Sequence, residues 1–490
     1  MNNYIGIDLG TSSVKMLLVA SNGDILKSVT REYPICYPKS GWSEQSPYDW
    51  YNATIDGLKE LIENIDKSNV RGISFGGQMH GLVILDENDN VIRPAILWND
   101  GRTQRQTDYL NEVIGKDKLS AYTANIAFAG FTAPKILWVK ENEPKNFARI
   151  CKIMLPKDYL AYKLCGVFAT DFSDASGMLL LDVKNRVWSR EMCDICGIET
   201  SQLPRLYESY EKIGTLLPSI ANELGLGEDV SVSIGAGDNA AAAVGTGTVG
   251  NGSCNISLGT SGTVFISQDS FSVDNANALH SFCHSNGKYH LMGCILSAAS
   301  CNKWFVEDIL GTSDFANEEK NLDKLLGENG TFFLPYLMGE RSPHNDVDAK
   351  GAFIGMRPDT TREHMVLAVL EGVAFALRDC VEIAKESGVK IDATKICGGG
   401  GKSKIWRKIV ANVLGIPVLR PQIEEGPAYG GAILAMVGCG EYNSVVEATD
   451  MLIKTKDVTE PNTELVAKYD KKYSIFKKLY PALKEAYKEI

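Results

Sequence analysis

The sequence has no run of about 18 apolar residues, the length a membrane-crossing helix requires. Nor does Met1-Asn2-Asn3-Tyr4-Ile5-Gly6-Ile7-Asp8 supply a basic segment leading into an apolar stretch, so neither a membrane span nor a targeting segment is expected. Cationic residues are in deficit: 50 Lys and Arg against 61 Asp and Glu, a formal net charge of -11. Neutralising a phosphate backbone needs clustered cations in excess, which argues against a nucleic-acid partner. Any anionic ligand has to be held locally, by backbone amides or a metal. The 12 cysteines follow no spaced framework, which argues against a secreted disulfide scaffold and for reduced thiols in a cytoplasmic protein. Cys193 and Cys196 form a lone C-x-x-C, with no second pair or nearby His to complete a zinc site and no redox-fold context.

Compositional bias is also absent: 44% of the residues are hydrophobic and 23% charged, the profile of a folded globular chain. At 490 residues the chain is too long for one core, because single cores stop growing at about 250–300 residues. Two domains are expected, and an internal echo locates them. Ile7-Asp8-Leu9-Gly10-Thr11-Ser12 recurs as Ile256-Ser257-Leu258-Gly259-Thr260-Ser261. In each copy an apolar strand runs into Gly-Thr-Ser and on into more apolar or β-branched residues, Val14 to Val19 and Thr263 to Ile266, which predicts a hairpin. Amides and hydroxyls in such turns suit phosphate oxygens, and two hairpins facing each other across a cleft would grip a triphosphate from both sides.

Between the echoes strand-like and helix-like segments alternate, an α/β pattern, with Asp49 to Asp66 read as an amphipathic helix and Val70 to Phe75 as a strand. The alternation Val230 to Ile234 predicts another strand, after which Gly235-Ala236-Gly237 turns into a helix opening at Asp238-Asn239-Ala240. The Gly-rich stretch from Val244 to Gly252 places the boundary, giving domains 1–247 and 248–490. The stretch Glu464 to Ile490 reads as a charged closing surface helix.

Three glycine patterns need separating. Gly245 to Gly250 matches G-x-G-x-x-G but follows a helix and opens none, against a dinucleotide site. Gly401-Lys402-Ser403 resembles the end of a phosphate-binding loop, yet Ile396 stands where that loop's first glycine belongs. What remains is Gly398-Gly399-Gly400-Gly401 ahead of a periodic helix carrying Ile405, Ile409, Val413 and Leu414. Those glycines either let a nucleotide lie against the backbone or serve close helix packing.

Asp8 is a carboxylate inside an apolar strand, read either as a magnesium ligand or as an acceptor for turn amides. Asp238 reads as a helix N-cap or as a ligand residue at a strand end. Gln78-Met79-His80-Gly81 places an amide, a thioether and an imidazole together after a strand, and Trp98-Asn99-Asp100-Gly101-Arg102 follows another; both suit a small polyol and both have ordinary structural readings.

Together these residues resemble the FGGY family of carbohydrate kinases over nearly the whole chain. Its two signatures match at Gly130-Phe131-Thr132-Ala133-Pro134-Lys135-Ile136-Leu137-Trp138-Val139-Lys140-Glu141-Asn142 and from Gly351 through His364 to Glu371, while the tetrapeptide of the family name is spelled differently, as Pro427-Ala428-Tyr429-Gly430-Gly431. The resemblance implies an α/β fold of two actin-like (ribonuclease H-like) ATPase domains flanking a central cleft. It implies Asp238 as catalytic base, Asp8 and Asp238 as magnesium-side carboxylates, and ATP held at Gly10, Thr11, Ser12, Gly259, Thr260, Gly399, Gly400 and Lys404. For the sugar it implies Gln78, Met79, His80, Trp98, Asp238 and Asn239. The Met-His pair is similar to that of the branch acting on D-xylulose, implying entry of xylose carbon into the pentose phosphate pathway; ribulose, L-xylulose, fuculose and gluconate stay open, as does a non-catalytic actin-like nucleotide switch. A homodimer is implied by analogy alone.

Overall fold

The computed structural model describes residues 1–490 as two α/β units. The first unit's seven-stranded sheet runs in the order Lys212–Thr215, Ser231–Ser233, Val70–Gly77, Asn3–Leu9, Ser13–Ala20, Ile25–Glu32, with Ala236–Gly237 also paired to Val70–Gly77. Its middle is parallel: Asn3–Leu9 beside Val70–Gly77, then Ser231–Ser233. Strands covered on both faces read as continuous apolar runs, and Ile5, Ile7, Leu9, Ile73 and Phe75 are all fully buried. The expected first hairpin is present, Asn3–Leu9 antiparallel to Ser13–Ala20 with Leu9 opposite Val14.

A second seven-stranded sheet repeats this order. It runs His280–Cys283, Tyr289–Ile295, Gly262–Gln268, Cys254–Leu258, Thr394–Cys397, Val418–Pro421, Thr455–Thr459. Again an antiparallel hairpin, with Leu258 opposite Gly262, is followed by two parallel neighbours and an antiparallel edge strand. The six-residue echo is thus the visible trace of a duplicated sheet.

The expected helix over Asp49 to Asp66 is shorter, Pro47–Leu61: Pro47 starts it with its φ already set, and Asp66 instead caps the tight turn Lys67–Asn69 by accepting from the Ser68 amide. The last helix, Thr463–Tyr487, forms, but it is more than a surface element. Tyr469, Tyr473, Phe476 and Tyr480 are buried, and Lys472 pairs at 2.5 Å with Glu371, inside the core helix Arg362–Glu386. Tyr469 donates to the same carboxylate at 2.9 Å, so the end of the second signature anchors the closing helix.

The chain does not divide at one point. The first unit comprises Met1–Val249, Ser281–His290 and Glu425–Ile453; the second comprises Gly250–His280, Leu291–Glu424 and Lys454–Ile490. A single cut between 247 and 248 follows the main division but does not record that Ser281–His290 and Glu425–Ile453 pack with the first unit. The cause lies in the helix Gly426–Gly438, whose small residues bring it against the first strand and the helix Asp238–Gly245, backbone to backbone. A Cβ on Gly430 would sit 1.9 Å from the Ala241 carbonyl oxygen, and one on Gly6 1.9 Å from that of Ala428. The segment corresponding to the family tetrapeptide is a packing device here.

Candidate functional site

In the first unit the ends of three adjacent strands deliver the singled-out residues. The turn after Asn3–Leu9 is pinned through its carbonyls: Gly10 accepts from the Tyr33 hydroxyl at 2.5 Å and the Gln78 amide at 3.3 Å, Thr11 from the Gln45 amide at 2.6 Å, and Ser12 from the Tyr33 amide at 3.1 Å. Trp98, 45% exposed, donates its indole N–H to Thr11 Oγ1 at 2.9 Å. Two members of its cluster, Asp100 and Arg102, are structural. Arg102 is buried between Trp42 and Trp138, 3.8 and 4.9 Å from the ring centres, and pairs at 2.7 Å with buried Asp100.

Asp8 stands opposite Lys15 in the hairpin register. Burial, then repulsion from the Asp238 carboxylate, raises it to about 7, with Lys15 acting in the opposite direction. Asp238 is the first residue of its helix and not its cap; Gly237 holds the cap position. Its Oδ1 accepts from the Asn239 backbone amide at 2.7 Å and the Asn239 side chain at 2.9 Å. Burial raises Asp238 to about 6 and the Asn239 bonds draw it back. Two half-buried carboxylates that repel each other fit a divalent cation, which takes one or two such groups together with phosphate oxygens. No group of three or more His, Cys, Asp or Glu forms a closed metal cage, and Cys193 and Cys196 are buried with their thiols raised to about 11 and 12 by burial, inert in redox or metal terms.

Behind Asp238 lies a cluster that no motif announced. Lys157 Nζ is fully buried 2.7 Å from Asp158, 2.8 Å from Asp171 and 3.6 Å from Asp174. Burial disfavours the ammonium, but the three carboxylates together keep it protonated. Burial also pushes Asp174 well up, with Lys157 opposing and Asp158, Asp171 and Asp238 adding to the rise. Asp171 Oδ2 accepts from Ser173 Oγ at 2.5 Å, and Ser173 Oγ in turn accepts from the Gly237 amide at 3.2 Å. The strand-to-helix corner that presents Asp238 is thereby tied to a buried ionic network. Along the sequence Lys157-Asp158 and the polar stretch carrying Asp171 and Asp174 lie apart and share no motif.

Gln78 is buried, with its Oε1 unpartnered. Met79 packs under Gly237, where a Cβ would meet its side chain at 3.0 Å. His80 has a φ of 69°, a left-handed conformation that costs a non-glycine residue on the order of 1 kcal/mol. Its Nδ1 lies 2.7 Å from the Gly177 carbonyl oxygen and its ring stacks on Phe131 at 4.6 Å.

The second unit holds a cavity of about 810 Å³, within the size range of nucleotide and drug-sized ligand sites. Gly399, Gly400, Lys404 and Thr260 line it, so four residues singled out from separate stretches do come together. Thr260 is fixed as its counterpart Thr11 is, its carbonyl accepting from the Ala298 amide at 2.9 Å and Ser300 Oγ at 2.7 Å. Gly398 takes a φ of 84° where a Cβ would meet the Leu258 carbonyl at 2.6 Å, whereas nothing lies within 4 Å of a Cβ on Gly399. Close packing thus applies to Gly398, while Gly399 faces the open cavity. From the following helix Ile409, Val413 and Leu414 enter the core, Ile405 packs against it half-buried, and Trp406 is buried there as well. The opposite wall went unseen: Asn302, Lys303, Phe315 and Glu319. Its only signal is a strand end at Ile295 followed by small residues and then Asn302, echoing Ala236-Gly237-Asp238-Asn239.

Comparison with known proteins decides the family. The model of the FGGY family of carbohydrate kinases, N-terminal domain, matches residues 3–245, and the C-terminal domain model matches residues 254–439. The chain belongs to the FGGY family of carbohydrate kinases. It is 38% identical to a protein named xylulose kinase from Bacillus subtilis over 489 residues, covering 99% of this chain and 98% of that one. Among solved structures, one described as a xyloylose kinase from Brucella ovis superposes with a TM-score of 0.93 at 39% identity, covering 99% of this chain and 100% of the other. A gluconate kinase from Lactobacillus acidophilus superposes with a TM-score of 0.95 at 25% identity, covering 100% and 99%. The two-domain, actin-like α/β fold is shared by members of the family named for different acceptors. No helix of the structure is long and apolar enough to cross a membrane.

Proposed function

We propose that this kinase transfers the γ-phosphoryl group of ATP to D-xylulose, giving D-xylulose 5-phosphate and ADP. The observation that carries the choice of sugar is the near full-length 38% identity to proteins named xylulose kinase. The geometry supports the chemistry. Asp238, at a strand-to-helix corner with its pKa drawn up to about 6, serves as the base that orients the acceptor hydroxyl and takes its proton late in transfer. Gln78, Met79, His80, Asn239 and Trp98 provide the polar and apolar contacts to the sugar. The cavity lined by Thr260, Gly399, Gly400 and Lys404 holds the nucleotide, and the turns Gly10 to Ser12 and Gly259-Thr260 offer amides and hydroxyls to phosphate oxygens. Asp8, with Asp238, would hold magnesium, which neutralises charge on the phosphates when bound. Magnesium, a homodimer and a cytoplasmic location belong to this proposal.

The test is ADP release by the purified protein with ATP and magnesium, across D-xylulose, D- and L-ribulose, L-xylulose, fuculose, gluconate, glycerol and no sugar. D-xylulose is expected to give the highest kcat/KM. A preference for gluconate or another acceptor would keep the mechanism and replace the substrate, and release independent of every sugar would overturn the reading. On the nucleotide side, Gly399→Val adds a branched side chain where only open cavity lies, with an expected rise of about tenfold or more in the KM for ATP and an unchanged sugar KM in steady-state assays.

A further inference from the structure

The first signature, Gly130 to Asn142, has so far identified the family without any chemistry. Its lysine lies on the first turn of the helix Thr132–Asn142 with no exposed surface. Lys135 Nζ donates to the His80 carbonyl oxygen at 2.8 Å and to the Gly130 carbonyl oxygen at 2.7 Å. A lysine is an expensive way to bond two carbonyls in a core: burial, with the Arg102 guanidinium adding to it and the Asp100 carboxylate opposing, pulls its pKa down to about 7. Its two acceptors explain its presence. One belongs to His80, the residue held in the left-handed conformation. The other belongs to Gly130, where a Cβ would meet the Trp98 carbonyl oxygen at 2.6 Å. The lysine therefore ties together the loop carrying Met79 and His80 and the loop packed against Trp98. Two more contacts close the arrangement: Thr132 Oγ1 donates to the His80 carbonyl at 3.1 Å, and the Phe131 ring stacks on the His80 imidazole.

We infer that Lys135 is a positioning residue for sugar recognition, a buried clamp on the His80 and Gly130 carbonyls that holds His80 and Trp98 in their binding arrangement. It touches neither substrate nor nucleotide. The inference rests on the proposed placement of the sugar at Met79, His80 and Trp98. A strained backbone conformation persists only where its surroundings over-determine it, and here the carbonyl of the strained residue receives two donors from one helical turn.

Steady-state kinetics of Lys135→Met and Thr132→Val test it. Lys135→Met keeps the length of the side chain and removes its donors, and a tenfold or greater rise in the KM for D-xylulose is expected with the KM for ATP within twofold of wild type. Thr132→Val removes one of the two donors to the His80 carbonyl with little change of volume, and a smaller rise in the same direction is expected. Thermal melting with and without sugar adds a readout independent of turnover: stabilisation by D-xylulose is lost in Lys135→Met while stabilisation by ATP is kept. Wild-type sugar KM in both variants, or equal rises for sugar and ATP, would overturn the clamp while leaving the proposed function intact. Should Lys135→Met fail to fold, Thr132→Val decides by the same criterion. A wild-type protein without sugar-dependent ADP release would remove the underlying reading and the clamp with it.

Discussion

Asp238→Asn is expected to lower kcat for sugar phosphorylation by roughly 10²–10⁴-fold, the range typical of losing a positioned general base. The protein itself should become more stable without ligands. The reason is in the sign of the shift: the Asp238 carboxyl sits near 6 in the folded protein against an ordinary value of 3.8. Above pH 6 the folded state carries a carboxylate it would rather protonate, whereas below about pH 4 the group is protonated in folded and unfolded chains alike. The penalty is thus present in full above pH 6 and disappears as the pH falls from 6 to 4. Asparagine removes it, by about 1 kcal/mol once the partial exposure of the side chain is allowed for. Thermal melts at pH 8 and pH 4 should show a higher Tm for the variant at the first and none at the second. In the wild type, turnover should fall as the pH drops through about 6. Undiminished kcat in the variant would remove Asp238 from proton transfer, and a lower Tm at pH 8 would contradict the assigned environment.

Gly430→Ala is expected to destabilise the protein more than any comparable single-methyl change in the site. The added carbon would lie 1.9 Å from the Ala241 carbonyl oxygen and 2.7 Å from its carbonyl carbon, inside backbone that cannot rotate away. The helix Gly426–Gly438 must then retreat from the helix Asp238–Gly245 and from the first strand, leaving voids along a tightly packed face. Overpacking of this kind costs roughly 1–3 kcal/mol, with more where the backbone itself blocks relief. Denaturant unfolding should show a lowered midpoint, and activity should fall because the helix left without its packing partner is the one that Asp238 opens. Gly399→Ala is the control, since its methyl meets nothing and should leave the midpoint unchanged. Equal stability of the two variants would refute the packing role of the Pro427 to Gly431 segment.

The two glycines show how differently chain and fold inform. Both lie in Gly-rich stretches, and no local rule separates a glycine that makes room for a helix from one that borders an open cavity. The same limit hid Lys135, Lys157 and Asn302. Each sits in a sequence position where a surface residue would look identical, and its role depends on carbonyls, carboxylates or a cavity wall brought from elsewhere in the chain. Arg102 and Asp100 illustrate the converse, a polar cluster beside candidate site residues that is consumed by packing between two tryptophans.

By itself the sequence determined the α/β class, the duplicated hairpins, the strand-to-helix corner at Asp238 and the glycine run Gly398 to Gly401 ahead of its helix, because these follow from local periodicity and short-range turn chemistry that neighbouring residues decide. Only the tertiary structure decided that the segment Glu425–Ile453 packs with the first unit, that a buried lysine cluster lies beneath Asp238, and that Lys135 grips the His80 carbonyl. Close backbone approach, burial of charge and the closing of a cavity are properties of segments that meet in space, and spacing along the chain carries no record of which segments will meet.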